Sequence, residues 1–175
     1  MNQPKIGIIL GSASDAPHAQ KIGATLRELG IPFEVTVASA HRTPEDAAHY
    51  AQNARARGLE AIIAVAGLSA ALPGAVAAQT TLPVIGVPVE SGTLLGMDAL
   101  LSTAMMPPGV PVASVGINGA ANAALLAARI VAVHDGVVAE KLQSYADEKA
   151  AKVRASRRDA QVFADVPMAP EEALR

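Results

Sequence analysis

Short runs of aliphatic and β-branched residues alternate along the chain with Ala-rich stretches whose apolar positions recur at helical spacing. KIGIIL precedes 16–29, FEVTV precedes 44–57, AIIAVA precedes 70–79, PVIGV precedes about 96–105, and VPVASV precedes 120–133. Five strand-then-helix units predict an α/β fold with a parallel sheet and helices on both faces.

The breaks between elements agree with this pattern. Gly30 and Gly58 stand where the first two helices need a C′ glycine, and Pro32, Pro83 and Pro111 precede or open strands, where a missing N–H does no harm. From Gly136 the alternation stops. Residues 136–158 predict one amphipathic helix with Val138, Leu142, Tyr145 and Val153 on its apolar side, packed on its own sheet or reaching to a neighbouring subunit. Residues 166–175 read as a loose tail, and residues 1–165 as a single domain.

Composition narrows the function. Apolar residues make up 51% of the chain and aromatic residues 2%, so Ala, Val, Ile and Leu must build the core. Lys plus Arg number 14 against 16 acidic residues, with no basic stripe interleaved with aromatics, which argues against a nucleic-acid surface and for a small-molecule partner. The absence of cysteine excludes thiolate catalysis and Cys-ligated zinc, and the 4 His show no H-E-x-x-H spacing. No apolar run is long enough to span a membrane and the N-terminus lacks the features of a signal peptide, so a cytoplasmic location is expected.

In a parallel sheet, ligands bind beyond the carboxyl ends of the strands, where helix N-termini offer free N–H groups to anions. The first such loop, LGSASDAP, offers the hydroxyls of Ser12 and Ser14 and the Asp15 carboxylate, although Ser12-x-x-Asp15 also resembles a capping box with Pro17 in the first helical turn. In the second, TVASAHRTPED, helix-start chemistry accounts for Thr43 as N-cap, Pro44, Glu45 and Asp46 but not for His41 and Arg42. An arginine fork suits a phosphate, and an imidazole exchanges protons near neutral pH. His18 and His49 lie inside helices and His134 closes one, so their claims are weaker.

The third loop, AGLSAALPG, is either the wall of a tight apolar pocket or a small-residue helix packed on the sheet. The fourth, from Pro88 through Ser91, Gly92 and Gly96, reads as a covering loop, with Met105 and Met106 beyond it as packing or interface residues. Asn118 and Asn122 fall at the fifth turn, where an Asn ordinarily bonds local backbone.

Taken together over roughly residues 5–135, GSASD, SAHRTP, LPVIGVPV, MPPGVPV and GAANAALLAA resemble, in order and spacing, a family of purine-synthesis enzymes: the N5-carboxyaminoimidazole ribonucleotide mutases and aminoimidazole ribonucleotide carboxylases. The resemblance implies a three-layer αβα sandwich of the flavodoxin or Rossmann kind, assembled as a homo-octamer with active sites at subunit interfaces. It implies a ribonucleotide substrate, CO2 as intermediate, and no metal or organic cofactor. Ser12 and Arg42 would hold the substrate phosphate and Asp15 the ribose hydroxyls. His41 would be the general acid/base, with Ser39 and Ala40 beside it, and Gly67, Ser69 and their neighbours would line the CO2 pocket.

The third loop departs from the mutase pattern AGGAAHLPG: Ala71 stands where a His is expected. Ser69, Ala71 and Leu72 lean towards AGRSNALSG, the pattern of the direct carboxylases, whereas SAHRTP, LPVIGVPV and MPPGVPV lean towards the mutases. The first loop carries Ala16 in place of the usual Trp. The expected activity is therefore the mutase, with the carboxylase (a carboxy-lyase) as one alternative and a non-catalytic nucleotide-binding module as another.

Overall fold

The computed structural model describes residues 3–157, 163, 165–170 and 173. Its strands are β1 (Ile6–Leu10), β2 (Phe33–Val37), β3 (Ala61–Gly67), β4 (Val84–Val89) and β5 (Ala113–Ser114). Its helices are α1 (Ala16–Glu28), α2 (Pro44–Ala54), α3 (Leu72–Ala77), α4 (Met97–Ala104), α5 (Ala120–Ala132) and α6 (Gly136–Ser156). Every strand pairing is parallel and the order across the sheet is β2-β1-β3-β4-β5, the flavodoxin-like arrangement.

The middle strands read as near-continuous apolar runs because both of their faces are covered. Ile6, Ile8 and Leu10 point into one layer with α1, α5 and the start of α6, while Ile9 points into the other with α2, α3 and α4. Each fully buried Ile or Leu contributes about 1.5–3 kcal/mol relative to exposure. On α5 the buried face is Ala120, Ala123, Ala124, Ala127, Ala128 and Val131, small enough for close packing against α1.

Both expected C′ glycines are in place. Gly30 (φ 73°) and Gly58 (φ 84°) are left-handed. Each closes a Schellman motif: Gly30 N donates to Arg27 O and Ile31 N to Leu26 O, and Gly58 N to Arg55 O and Leu59 N to Ala54 O.

Several elements differ from the sequence reading. The second helix ends at Ala54 instead of 57, and the fourth strand runs on to Val89 beyond PVIGV. The third helix covers Leu72–Ala77 instead of 70–79, because Leu68 turns left-handed (φ 52°) and residues 68–71 become loop. The fifth strand shrinks from VPVASV to Ala113–Ser114. The last helix runs from Gly136 to Ser156, its expected end at 158 and part of the tail expected over 166–175 lying outside the described residues.

The joint between α5 and α6 is pinned at the edge of the sheet where the strands begin. Lys5 Nζ donates to Asp135 Oδ2 at 3.0 Å and lies 3.6 Å from Glu60 Oε1, while Asp135 Oδ1 caps α6 by accepting from Val138 N at 3.2 Å. The hydrogen bond from Lys5 is the main cause that lowers the Asp135 carboxyl below its ordinary value. Helix α6 then packs through Val138 and Leu142 on the α1–α5 layer, and from Ala151 to Arg157 it is exposed.

Candidate active site

Because all strands are parallel, the loops that follow β1, β2, β3 and β4 meet at one edge of the sheet. Helices α1 and α3 leave the adjacent strands β1 and β3 for opposite faces, which opens a crevice between the two loops. A cleft of about 760 Å³ lies there. It is lined from the first loop by Gly11, Ser12, Ser14, Asp15 and His18, and from the second by Ser39, Ala40, His41 and Arg42. The third loop contributes residues 66–72 and the fourth Val89, Glu90 and Ser91. Each of the sequence-selected residues, Ser12, Asp15, Ser39, Ala40, His41, Arg42, Gly67 and Ser69, is on its wall.

The first loop starts tightly: Gly11 N donates to Val65 O at 3.0 Å, so the chain hugs β3 as it leaves the sheet. Ser12 then caps a single 3-10 turn, Ala13–Asp15, by accepting from Ser14 N at 3.3 Å. The expected capping box is thus displaced: α1 begins after Asp15, whose carboxylate makes no cap bond to that helix. Asp15 is 9% exposed, and burial pushes its carboxyl up, against weaker opposite pulls from the Ser12 backbone, His18 and Ser14.

The second loop is built on a turn in which Thr43 N donates to Ser39 O at 2.9 Å. Thr43 occupies the N-cap position of α2 but does not cap it, a correction to the sequence reading. Its hydroxyl turns back and accepts from Ser39 N at 2.9 Å, so it braces the loop instead of the helix. Ser39 Oγ in turn accepts from Arg42 N at 3.3 Å and from Arg42 Nε at 3.5 Å. Arg42 Nη2 reaches the first loop and donates to Gly11 O at 3.2 Å. His41 is exposed between these anchored residues.

The third loop supplies an apolar wall with little charge: Gly67, Leu68, Ala70, Ala71 and Leu72, with Ser69 among them. Among the described residues, no group of three His, Asp or Glu side chains is placed to hold a metal ion, and no helix is long and apolar enough to cross a membrane.

Two cleft residues escape sequence reasoning. His18 is inside a helix, as read, but in its first turn, which faces the cleft, and its Nδ1 is buried with no partner. The Asp15–His18 spacing was the available signal. Glu90 is marked by no motif; what singles it out is Asn118, which bonds Glu90 across 28 residues and not its own local backbone as expected.

This arrangement can hold an anion against Arg42 and the N-terminus of α1, accept hydrogen bonds at Asp15, and move a proton at His41, beside an uncharged pocket. The family model described as AIR carboxylase matches residues 5–152. The N5-carboxyaminoimidazole ribonucleotide mutase of Pyrococcus horikoshii is 51% identical over 151 residues, covering 86% of this chain and 85% of that one. The phosphoribosylaminoimidazole carboxylase of Saccharomyces cerevisiae is 51% identical over 145 residues, which are 83% of this chain and 25% of that enzyme. The crystal structure of Treponema denticola PurE superposes with a TM-score of 0.80 at 34% identity, over 91% of this chain and 98% of that one. With the fold, the loop motifs and matches of this breadth in agreement, the chain belongs to the AIR carboxylase family.

Proposed function

We propose that the chain is an N5-carboxyaminoimidazole ribonucleotide mutase, forming 4-carboxyaminoimidazole ribonucleotide in purine biosynthesis. The observation that carries this reading is the convergence of His41, Arg42, Ser12 and Asp15 on one cleft with an apolar third loop, in a chain 51% identical to a mutase of that name.

In this scheme the Arg42 fork, the Ser12 hydroxyl and the free N–H groups at the start of α1 take the phosphate. The Asp15 carboxylate accepts from the ribose hydroxyls, and Ser39 and Ala40 frame His41. Imidazolium His41 gives its proton to the substrate nitrogen as the N–CO2 bond breaks, leaving aminoimidazole ribonucleotide and CO2. The ring carbon attacks the CO2 to form the new C–C bond, and neutral His41 then removes the proton from that carbon, so the histidine ends as it began. CO2 offers no charge to grip and has to be confined, which suits the walls formed by Gly67, Ala70, Ala71 and Leu72, with Ser69 at the rim.

Residues 1–165 act in this reading as one catalytic domain in the cytoplasm, assembled as a homo-octamer with the clefts at subunit interfaces. Two surfaces support assembly. Met97, Leu101 and Met105 form an exposed apolar stripe along α4, continued by Leu94 and Leu95, and the second half of α6 projects with Val153 exposed.

One observation favours a second reading, direct carboxylation of aminoimidazole ribonucleotide by CO2: Ser69 and Ala71 in the third loop, in a chain that is also 51% identical to a yeast carboxylase. Purified protein is given either N5-carboxyaminoimidazole ribonucleotide or aminoimidazole ribonucleotide plus bicarbonate, and the 4-carboxylated product is followed. The mutase reading expects the first substrate to be converted far faster than it decomposes unaided. Conversion no faster than that decomposition rejects it, and product from the second mixture alone installs the carboxylase.

A further inference from the structure

The short fifth strand leaves a question about hydrogen bonds. β5 pairs with β4 through Ala113 and Ser114 alone, opposite Ile85 and Gly86, while β4 continues to Val89. Val115 N donates to Gly86 O at 3.1 Å and Asn118 N to Pro88 O at 2.8 Å. The next donor, Glu90 N, meets no backbone carbonyl: it donates to Asn118 Oδ1 at 3.0 Å. The asparagine side chain therefore stands in for the carbonyl that a longer fifth strand would have supplied.

The same amide closes a second bond, Asn118 Nδ2 donating to Glu90 Oε2 at 3.0 Å. One side chain so fixes both the backbone and the carboxylate of Glu90. Asn118 adopts φ 59°, a left-handed conformation that Asn tolerates better than most residues.

Glu90 stands at the root of the fourth-loop side of the cleft. Glu90 and Ser91 line the cleft and open the fourth loop, whose far end returns to the same point: a Cβ on Gly96 would lie 3.0 Å from Glu90 Cα and 2.9 Å from Ile117 Cγ2. The third loop leans on the fourth. A Cβ on Gly67 would be 3.4 Å from Ser91 Cβ, and one on Gly92 would be 3.0 Å from Leu68 Cδ2. Leu68 itself is left-handed at φ 52°, a conformation that persists only where the surroundings hold it. Asn118 does not line the cleft, so it acts through Glu90.

We infer that Asn118 is a positioning residue: its pair of hydrogen bonds to Glu90 sets the fourth loop, and through Ser91 and Gly92 the third loop that confines the transferred carboxyl group. This rests on the mutase reading for its activity readout, and wild-type turnover in the same assay separates the two: an inactive wild type rejects that reading, whereas an active wild type with unaffected variants rejects this inference.

The experiment is a set of steady-state measurements on Asn118→Gly, Asn118→Asp, Glu90→Gln and the double variant Asn118→Asp/Glu90→Gln, with circular dichroism and melting curves for each. Gly suits the left-handed backbone and removes both bonds, so a purely conformational role for Asn118 leaves it active. Asp at 118 sets two carboxylates against each other, and Gln at 90 restores a donor opposite an acceptor. The expected result is a fall in kcat of about tenfold for both Asn118 single variants, KM for the nucleotide changing by less than about twofold, and recovery of the double variant to the level of Glu90→Gln. The inference is overturned by wild-type kcat in a folded Asn118→Gly, by a loss that resides in KM, or by a double variant no better than Asn118→Asp. If neither single variant folds, Asn118 is a folding residue and the inference is equally overturned.

Discussion

Arg42 Nη2 donates to the carbonyl oxygen of Gly11 at 3.2 Å, tying the loop after β2 to the loop after β1 across 31 residues of chain. With Ser39 Oγ accepting from the Arg42 Nε at 3.5 Å, the guanidinium is held on two sides before any ligand arrives. Part of its rotamer entropy is thereby spent in advance, which favours anion binding.

Arg42→Lys keeps the charge and loses the fork. A lysine cannot bond Gly11 O and Ser39 Oγ while also facing a phosphate in two directions. The expected outcome is a rise in KM for the nucleotide of roughly tenfold or more, with a smaller change in kcat. Steady-state kinetics at fixed ionic strength test this, and an unchanged KM would remove Arg42 from the phosphate site.

His41→Asn separates binding from chemistry. Asn preserves a polar group of similar reach but cannot exchange a proton, so turnover is expected to fall by about 10²- to 10⁴-fold. Nucleotide affinity, measured by calorimetry, is expected to stay close to wild type. Turnover equal to wild type would make the cleft a binding site whose histidine does nothing, the non-catalytic module.

The fold was legible because its determinants are local. Strand composition, helical spacing and the glycines at 30 and 58 each specify their element without reference to distant parts of the chain. The candidate site was legible where residues exceed local need, as at His41 and Arg42, which helix capping does not require and which line the cleft. What sequence could not supply is set by tertiary contact. Thr43 has every property of an N-cap, yet its hydroxyl serves Ser39, whose N–H donates to it at 2.9 Å across the turn. Asn118 looks like a local turn residue, yet its partner lies 28 positions away, just past the end of β4 and beyond the point where the short fifth strand stops pairing with it.

Gly86→Ala tests the second core layer behind the third and fourth loops. A Cβ at this position would collide with Thr103 Cγ2 and lie 3.1 Å from Val112 Cγ1 and 3.2 Å from Pro73 Cβ. Thr103 is fully buried and cannot swing aside without breaking its 2.8 Å hydrogen bond to Ala99 O. Overpacking of this kind costs about 1–3 kcal/mol. Thermal denaturation should show a melting temperature several degrees lower, and an unchanged melt would mean that α4 adjusts freely against the sheet.

Asp15→Asn sets stability against function, and its sign follows from the direction of the Asp15 shift. Burial raises the carboxyl above its ordinary value of 3.8, so the folded state prefers the protonated form more than the unfolded chain does. The stabilising contribution of that preference is full below the unfolded value and is lost as pH rises through the higher folded value. At pH 7 the ionised, buried carboxylate is therefore a liability that Asn, neutral and nearly the same size, removes. The variant is expected to melt higher than wild type at pH 7, with the gap closing as pH falls through the raised folded value towards 3.8. In the proposed scheme it also loses a charged acceptor for the ribose hydroxyls, so KM should rise roughly ten- to a hundredfold. Melting curves from pH 3.5 to 8 with parallel kinetics test both halves. A variant less stable than wild type at pH 7 would show that the carboxylate holds its own loop together, and an unchanged KM would take Asp15 out of the nucleotide site.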